Sequence, residues 1–171
     1  AVDFARYYAE GAVSLWANPG LRHRARGVVA VVAPWNFPYA IPASGVLAAL
    51  AAGNAVVLKP APQTAGVGHL LAEQLWRAGV PPDLLQLVNV PEDERGRRLI
   101  THPDIAAVIL TGSTATAELF TDWRPNLRLH AETSGKNAIV VTASAVGLVL
   151  RSARPTPPTS TNAMIESTTA K

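Results

Sequence analysis

This sequence predicts a doubly wound α/β fold built on a mostly parallel sheet, and three observations carry that prediction. Short β-branched runs alternate with longer Ala/Leu-rich segments along most of the chain. The β-branched runs are almost wholly apolar rather than alternating apolar and polar, which is the pattern of strands covered on both faces. Glycine and proline sit at the joints between the two kinds of segment, as turn chemistry requires.

Taken in order, residues 3–16 read as a helix, with Asp3 as candidate N-cap and Phe4, Tyr8 and Leu15 as an apolar stripe. Residues 27–33 (GVVAVVA) form the first buried strand, and residues 42–52 a helix closed by Gly53. Residues 55–59 (AVVLK) are the second strand. A helix over 65–78 stops at Gly79, with Pro81 and Pro82 beyond it. The third strand spans 84–88, a further helix 92–101, and the fourth strand 106–110. Ser113 and Thr114 have the character of helix-start residues. Strands at 127–132 and 138–141 complete the ordered part. The domain is therefore placed at residues 1–145. Residues 146–171 are expected to be a disordered tail, because Pro155, Pro157 and Pro158 forbid a regular helix or central strand there.

Composition narrows the function classes. The 171 residues are 49% apolar and carry 15 basic against 12 acidic side chains, a globular balance with a small positive excess. No long basic run interleaves with aromatics, so nucleic acid is not an expected partner despite a pI near 9.7. The absence of cysteine excludes disulfides, thiolate metal sites and cysteine nucleophiles within the chain. His23, His69, His102 and His130 lack metal-ligand spacing and read as structural or surface residues. The longest apolar stretch, 41–57, is interrupted by Pro42, Gly45, Gly53 and Asn54, so no membrane span is expected. The chain opens on Ala1, as a fragment or processed chain does, and shows no signal peptide; a cytoplasmic protein is the expectation.

In open α/β sheets, ligands bind beyond the carboxyl ends of the strands, so the residues just after each strand are the candidates. Pro34-Trp35-Asn36-Phe37-Pro38 follows the first strand; two prolines restrict the loop, and the Asn36 amide can donate to a developing oxyanion. Read alone, the same loop serves equally as a capped turn in which Trp35 and Phe37 pack. Lys59 ends the second strand, within reach of a ribose or phosphate; a solvated lysine at a strand end is the plain alternative. Thr111-Gly112-Ser113-Thr114 joins a strand to a helix, where first-turn N–H groups favour a pyrophosphate. The G-x-G-x-x-G dinucleotide fingerprint is absent. Glu132, in Glu132-Thr133-Ser134-Gly135-Lys136-Asn137, is a candidate general base or the partner of Lys136. A serine triad finds no G-x-S-x-G elbow.

In this order, PWNFP, AAGNAVVLKP-x-x-Q-T, TGS and ETSGKN resemble the landmarks of the aldehyde dehydrogenase superfamily, over residues 1–145. The resemblance implies a Rossmann-like cofactor-binding part, incomplete, that takes NAD or NADP. It implies Asn36 as oxyanion stabiliser and Glu132 as general base. Lys59 falls on the adenosine-ribose side, Gly112 and Ser113 beside the phosphates, and Ala33, Pro34 and Trp35 on the nicotinamide side, with Gln63 a further cofactor-binding residue. ETSGKN, in place of the commoner LELGGK form, resembles the branch that oxidises glutamate gamma-semialdehyde (1-pyrroline-5-carboxylate) in proline breakdown, sometimes fused to a proline dehydrogenase. Members of the family are usually homo-oligomers.

Three departures qualify the resemblance. Pro62 stands where the family often places a ribose-holding glutamate, which leaves NAD against NADP open. After the third strand, Asn89-Val90-Pro91-Glu92-Asp93-Glu94 replaces a glycine turn, and its acidic side chains are expected to point away from a pyrophosphate. The family's nucleophilic cysteine, in G-Q-x-C, has no counterpart, and covalent aldehyde oxidation requires that thiolate. The expectation is thus a piece of an NAD(P)-dependent aldehyde dehydrogenase, inactive as this chain and ending in a divergent tail such as a frameshift produces. A non-catalytic nucleotide-binding or interaction module and an unstable truncated product are the alternatives.

Overall fold

The computed structural model of the chain describes residues 1–133. The strand expected at 138–141, the domain boundary at 145 and the tail 146–171 lie outside the described residues, as do Ser134 to Asn137. Five strands form one sheet: β1 (Val28–Val32), β2 (Ala55–Lys59), β3 (Leu85–Leu87), β4 (Ile105–Gly112) and β5 (Leu129–Thr133). Their spatial order is β3-β2-β1-β4-β5, and every neighbouring pair is parallel. The helices are α1 (Val2–Trp16), α2 (Ala40–Ala51), α3 (Ala65–Arg77), α4 (Glu94–Thr101) and α5 (Thr114–Trp123). The expected doubly wound, mostly parallel fold is what forms.

Two apolar clusters show why the sheet must be covered on both sides. Val29, Val31, Val56, Leu58, Leu85 and Ala107 pack with α2 and α3 on one face. Ala30, Val32, Ile105, Val108 and Leu110 pack with Ile100 of α4 and Phe120 of α5 on the other. Neighbouring residues of β1 thus serve opposite faces, as the period of two dictates. Alanines and glycines bring the helices close: a Cβ on Gly45 of α2 would stand 2.8 Å from Val31 Cγ1, and one on Gly68 of α3 would stand 2.7 Å from Pro60 Cγ. Both contacts admit no side chain without a shift.

Helix ends follow the punctuation in the sequence. Gly53 and Gly79 have φ of 81° and 103°, and each follows the residue closing its helix, as expected from the freedom of a residue without Cβ. Ser113 caps α5 by accepting from the Thr116 N–H at 3.1 Å. Asp93 caps α4 through the Arg95 N–H, so that helix starts at Glu94 rather than at residue 92.

Several expectations are corrected. Asp3 is not a cap: α1 begins at Val2 without a side-chain cap bond, and Asp3 lies in its first turn, where a carboxylate suits the helix dipole. The proposed stripe on α1 is not buried either. Phe4 and Leu15 are 41% and 52% exposed, while Tyr8, whose hydroxyl lies 3.1 Å from Ser44 Oγ, is the stripe residue that meets α2. α2 starts two residues earlier than expected, because Pro42 in the first turn gives up an N–H that has no intrahelical partner there. β4 extends to Gly112, so Thr111 and Gly112 are strand residues rather than part of a turn. Gly112 has no positive φ.

Candidate active site

The parallel order places every strand's carboxyl end on one edge of the sheet. Cα partnering aligns Lys59 with Val32, Val32 with Leu110, and Leu110 with Ala131. One residue further, Thr111 partners Glu132. Neighbouring strands are ~4.8 Å apart, so the row from β2 to β5 spans roughly 14 Å. Between β1 and β4 the chain reverses its direction of progress across the sheet, and this switch point is where open α/β sheets hold ligands. Ala33, Pro34 and Trp35 leave β1 on one side of it, and on the other Gly112 ends β4 with Ser113 following.

Lys59 is the unusual residue of this edge. It is 5% exposed, and among the described residues it has no ion-pair partner within salt-bridge distance. Leu58 belongs to the cluster under α2 and α3, so alternation turns Lys59 toward the α4 and α5 face. Burial holds the Lys59 ammonium below its ordinary pKa of 10.5, and the charge of Glu92 offsets part of that effect. Asp93 is bound to Arg95, with carboxylate and guanidinium 2.8 Å apart, but Glu92 acts on Lys59.

Glu132 stands on the opposite face. Leu129 joins the cluster under α4 and α5, so His130 and Glu132 face the α2 side. There they border a groove of about 430 Å³ with Phe4, Tyr8, Ile41 and Ser44. Ala33, buried at the end of β1, lines the same groove, and its N–H donates to the Lys59 carbonyl at 3.2 Å. The edge thus brings together groups that serve two faces: Lys59 on one, Glu132 on the other, with the β1 exit between them.

Asn36 is exposed in the loop after β1, between Trp35 and Phe37, which are 64% and 62% exposed. Neither aromatic packs into the core, so the plain reading of this loop as a packed turn is not what forms. Gln63 is exposed in a short 3-10 turn, Pro62–Thr64, directly after Lys59-Pro60-Ala61. Ser113 spends its hydroxyl on the α5 cap, and the first N–H groups of that helix, on Thr114 and Ala115, have no intrahelical acceptor. Glu92 lies just after the third strand, where the sequence places candidates, but an acidic side chain in a loop gives no signal of which buried lysine it acts on.

Among the described residues no group of histidines and carboxylates could hold a metal ion, and no helix is long and apolar enough to cross a membrane. A second cavity, of about 610 Å³, lies between α1 and the C-terminal half of α2, toward the amino edge and away from the candidate residues.

Known proteins share this fold. The model of the aldehyde dehydrogenase family matches residues 2–149. The bifunctional protein PutA of Escherichia coli is 40% identical over 155 residues, which cover 85% of this chain and 12% of that protein. The structure of proline utilization A (PutA) from Corynebacterium freiburgense superposes with a TM-score of 0.74 at 47% identity, covering 80% of this chain and 14% of that one. An NADP-dependent glyceraldehyde-3-phosphate dehydrogenase from Bacillus halodurans, complexed with NADP, gives 0.72 at 29% identity over 79% of this chain and 32% of its own. This chain therefore spans less than a third of each of these relatives. With the family model covering most of its length, the chain belongs to the aldehyde dehydrogenase family.

Proposed function

We propose that the carboxyl edge of this sheet is the NAD(P)-binding edge of an aldehyde dehydrogenase, and that the chain supplies the cofactor side of the reaction together with two of the groups that act on the aldehyde. The observation that carries this reading is Lys59: a lysine buried at a strand's carboxyl end, without a salt-bridge partner among the described residues, is costly unless an anion or hydroxyl-rich ligand meets it. The residues fit such a ligand. Lys59 and Gln63 would hold the adenosine ribose, the open N–H groups at the start of α5 beside Gly112 and Ser113 the pyrophosphate, and Ala33, Pro34 and Trp35 the nicotinamide. The bound dinucleotide supplies the hydride acceptor.

The chain's own residues then have distinct tasks. The Asn36 amide donates to the aldehyde oxygen as negative charge builds on it. Glu132, beside the α1–α2 groove, accepts a proton from the water that releases the acid product. Cofactor and aldehyde approach from opposite faces of the sheet and meet at the β1 exit. The substrate we favour is glutamate gamma-semialdehyde, supported by ETSGKN and by the likeness to PutA.

The 171 residues contain no cysteine, so none of their side chains supplies the thiolate that would attack the aldehyde. As this chain, with residues 1–145 the dehydrogenase part and 146–171 a divergent tail, the protein binds dinucleotide without oxidising aldehydes. That same absence favours a second reading, a nucleotide-binding module without chemistry. Titration of the chain with NADH, followed by cofactor fluorescence, tests the site. Saturable binding weakened about tenfold by Lys59→Met is expected, on the scale of one charge-assisted contact. Binding that ignores Lys59→Met rejects the site.

A further inference from the structure

We infer that Glu92 determines cofactor choice in this chain by favouring NAD over NADP, in the place of the ribose-holding carboxylate that Pro62 does not provide. This rests on the cofactor-binding reading of the carboxyl edge and deepens it.

The geometry begins with strand adjacency. β2 and β3 are neighbours, with Leu58 partnered to Leu87, and the Val88 N–H donates to the Leu58 carbonyl at 2.9 Å. The segment leaving β3 is therefore tied to the end of β2 one residue before Lys59. From there it runs through Pro91, whose carbonyl lies so close to Gly96 of α4 that a Cβ on that glycine would stand 2.8 Å from it. Glu92 directly follows Pro91 and precedes α4, so the segment that carries it leaves the sheet beside the carboxyl end of β2.

Its two acidic neighbours each have a cationic partner. Asp93 caps α4 and binds Arg95 at 2.8 Å, and Glu94 pairs with Arg97 at 3.8 Å. Among the described residues Glu92 has no such cation, and Lys59 is the group on which its charge acts. Its negative field thus falls at the adenosine end of the proposed site. In dinucleotide folds a carboxylate there accepts from the ribose 2′-hydroxyl and repels a 2′-phosphate, whereas a cation in the same place welcomes the phosphate. Lys59 attracts both cofactors, and Glu92 opposes the more highly charged one. Because Glu92 is exposed, water and salt screen it, and the discrimination is modest.

The test is equilibrium titration of the full 171-residue chain with NADH and with NADPH at low ionic strength. The native chain is expected to bind NADH more tightly, by roughly three- to tenfold, the scale of one screened charge acting on a phosphate. Glu92→Gln should improve NADPH binding by about that factor while changing NADH binding less than about twofold, and raising the salt should narrow the native preference. Glu94→Gln, which removes an acid already paired with Arg97, should leave the ratio unchanged. An unchanged ratio in Glu92→Gln, or an equal shift in Glu94→Gln, overturns the inference while leaving the cofactor site standing. No binding of either dinucleotide overturns both.

Discussion

β1 and β5 are the same length and lie in the same parallel sheet, yet they are built on opposite terms. β1 sits between two neighbours, and its last four residues are buried; β5 pairs only with β4 among the described residues, and His130, Ala131 and Glu132 are all exposed. Among the described residues, burial is therefore concentrated at the centre, while the side chain proposed as the general base stands on an exposed strand. Glu132 owes its position to register with Thr111, not to packing of its own. The PWNFP loop repeats the lesson at the end of β1, where a buried Ala33 is followed within three residues by an exposed Asn36.

The contrast can be broken or sharpened by substitution. Leu58→Ala, at a side chain with no exposure in the centre, should cost about 2–5 kcal/mol and lower the thermal midpoint accordingly. A loss under about 1 kcal/mol in calorimetry would show that the centre is loosely packed. Asn54→Ala should cost about 1–3 kcal/mol, because Asn54 Oδ1 accepts from the Arg26 and Gly27 N–H groups at 2.7 and 3.3 Å and its amide donates to the Ala49 carbonyl at 3.1 Å. That clamp lies at the amino edge, so NADH affinity measured on the folded variant should be unchanged.

Lys59→Met tests the one buried charge of the central strands. With the folded pKa depressed, the unfolded chain binds more protons in the alkaline window below 10.5, so stability rises as pH rises through that window. Denaturant titrations from neutral to alkaline pH should show this rise in the native chain. The methionine variant should be more stable at neutral pH and lack the lysine's contribution to the slope, while binding dinucleotide more weakly. An unaltered slope would mean that Lys59 is solvated. The smallest effect belongs to the rim: Glu132→Gln should change unfolding free energy by no more than about 0.5 kcal/mol in the same assay, as an exposed substitution does. A larger change would place Glu132 in the stabilising network rather than in the chemistry.

Much of this was legible before any coordinates. The apolar runs at β1, β2 and β4 could only be strands covered on both faces, and the Gly53, Gly79 and Ser113 signals marked helix ends through backbone chemistry that acts locally. Asp3 and the α1 stripe misled because amphipathic spacing gives a helix and a face, not whether anything lies against that face. The residues of the TGS segment suit a turn, and pairing of Thr111 and Gly112 with β5 overrides that local preference.

The sequence by itself determined a parallel α/β fold, the carboxyl-edge position of Lys59, Gly112 and Glu132, and the lack of any thiolate, since each follows from local pattern or composition. Only the tertiary structure decided that Lys59 and Glu132 occupy opposite faces, that Lys59 is buried, and that Glu92 rather than Asp93 or Glu94 acts on it. Those facts depend on strand order and register, which join residues far apart in the chain, and pairing over such distances leaves no periodicity for a sequence to display.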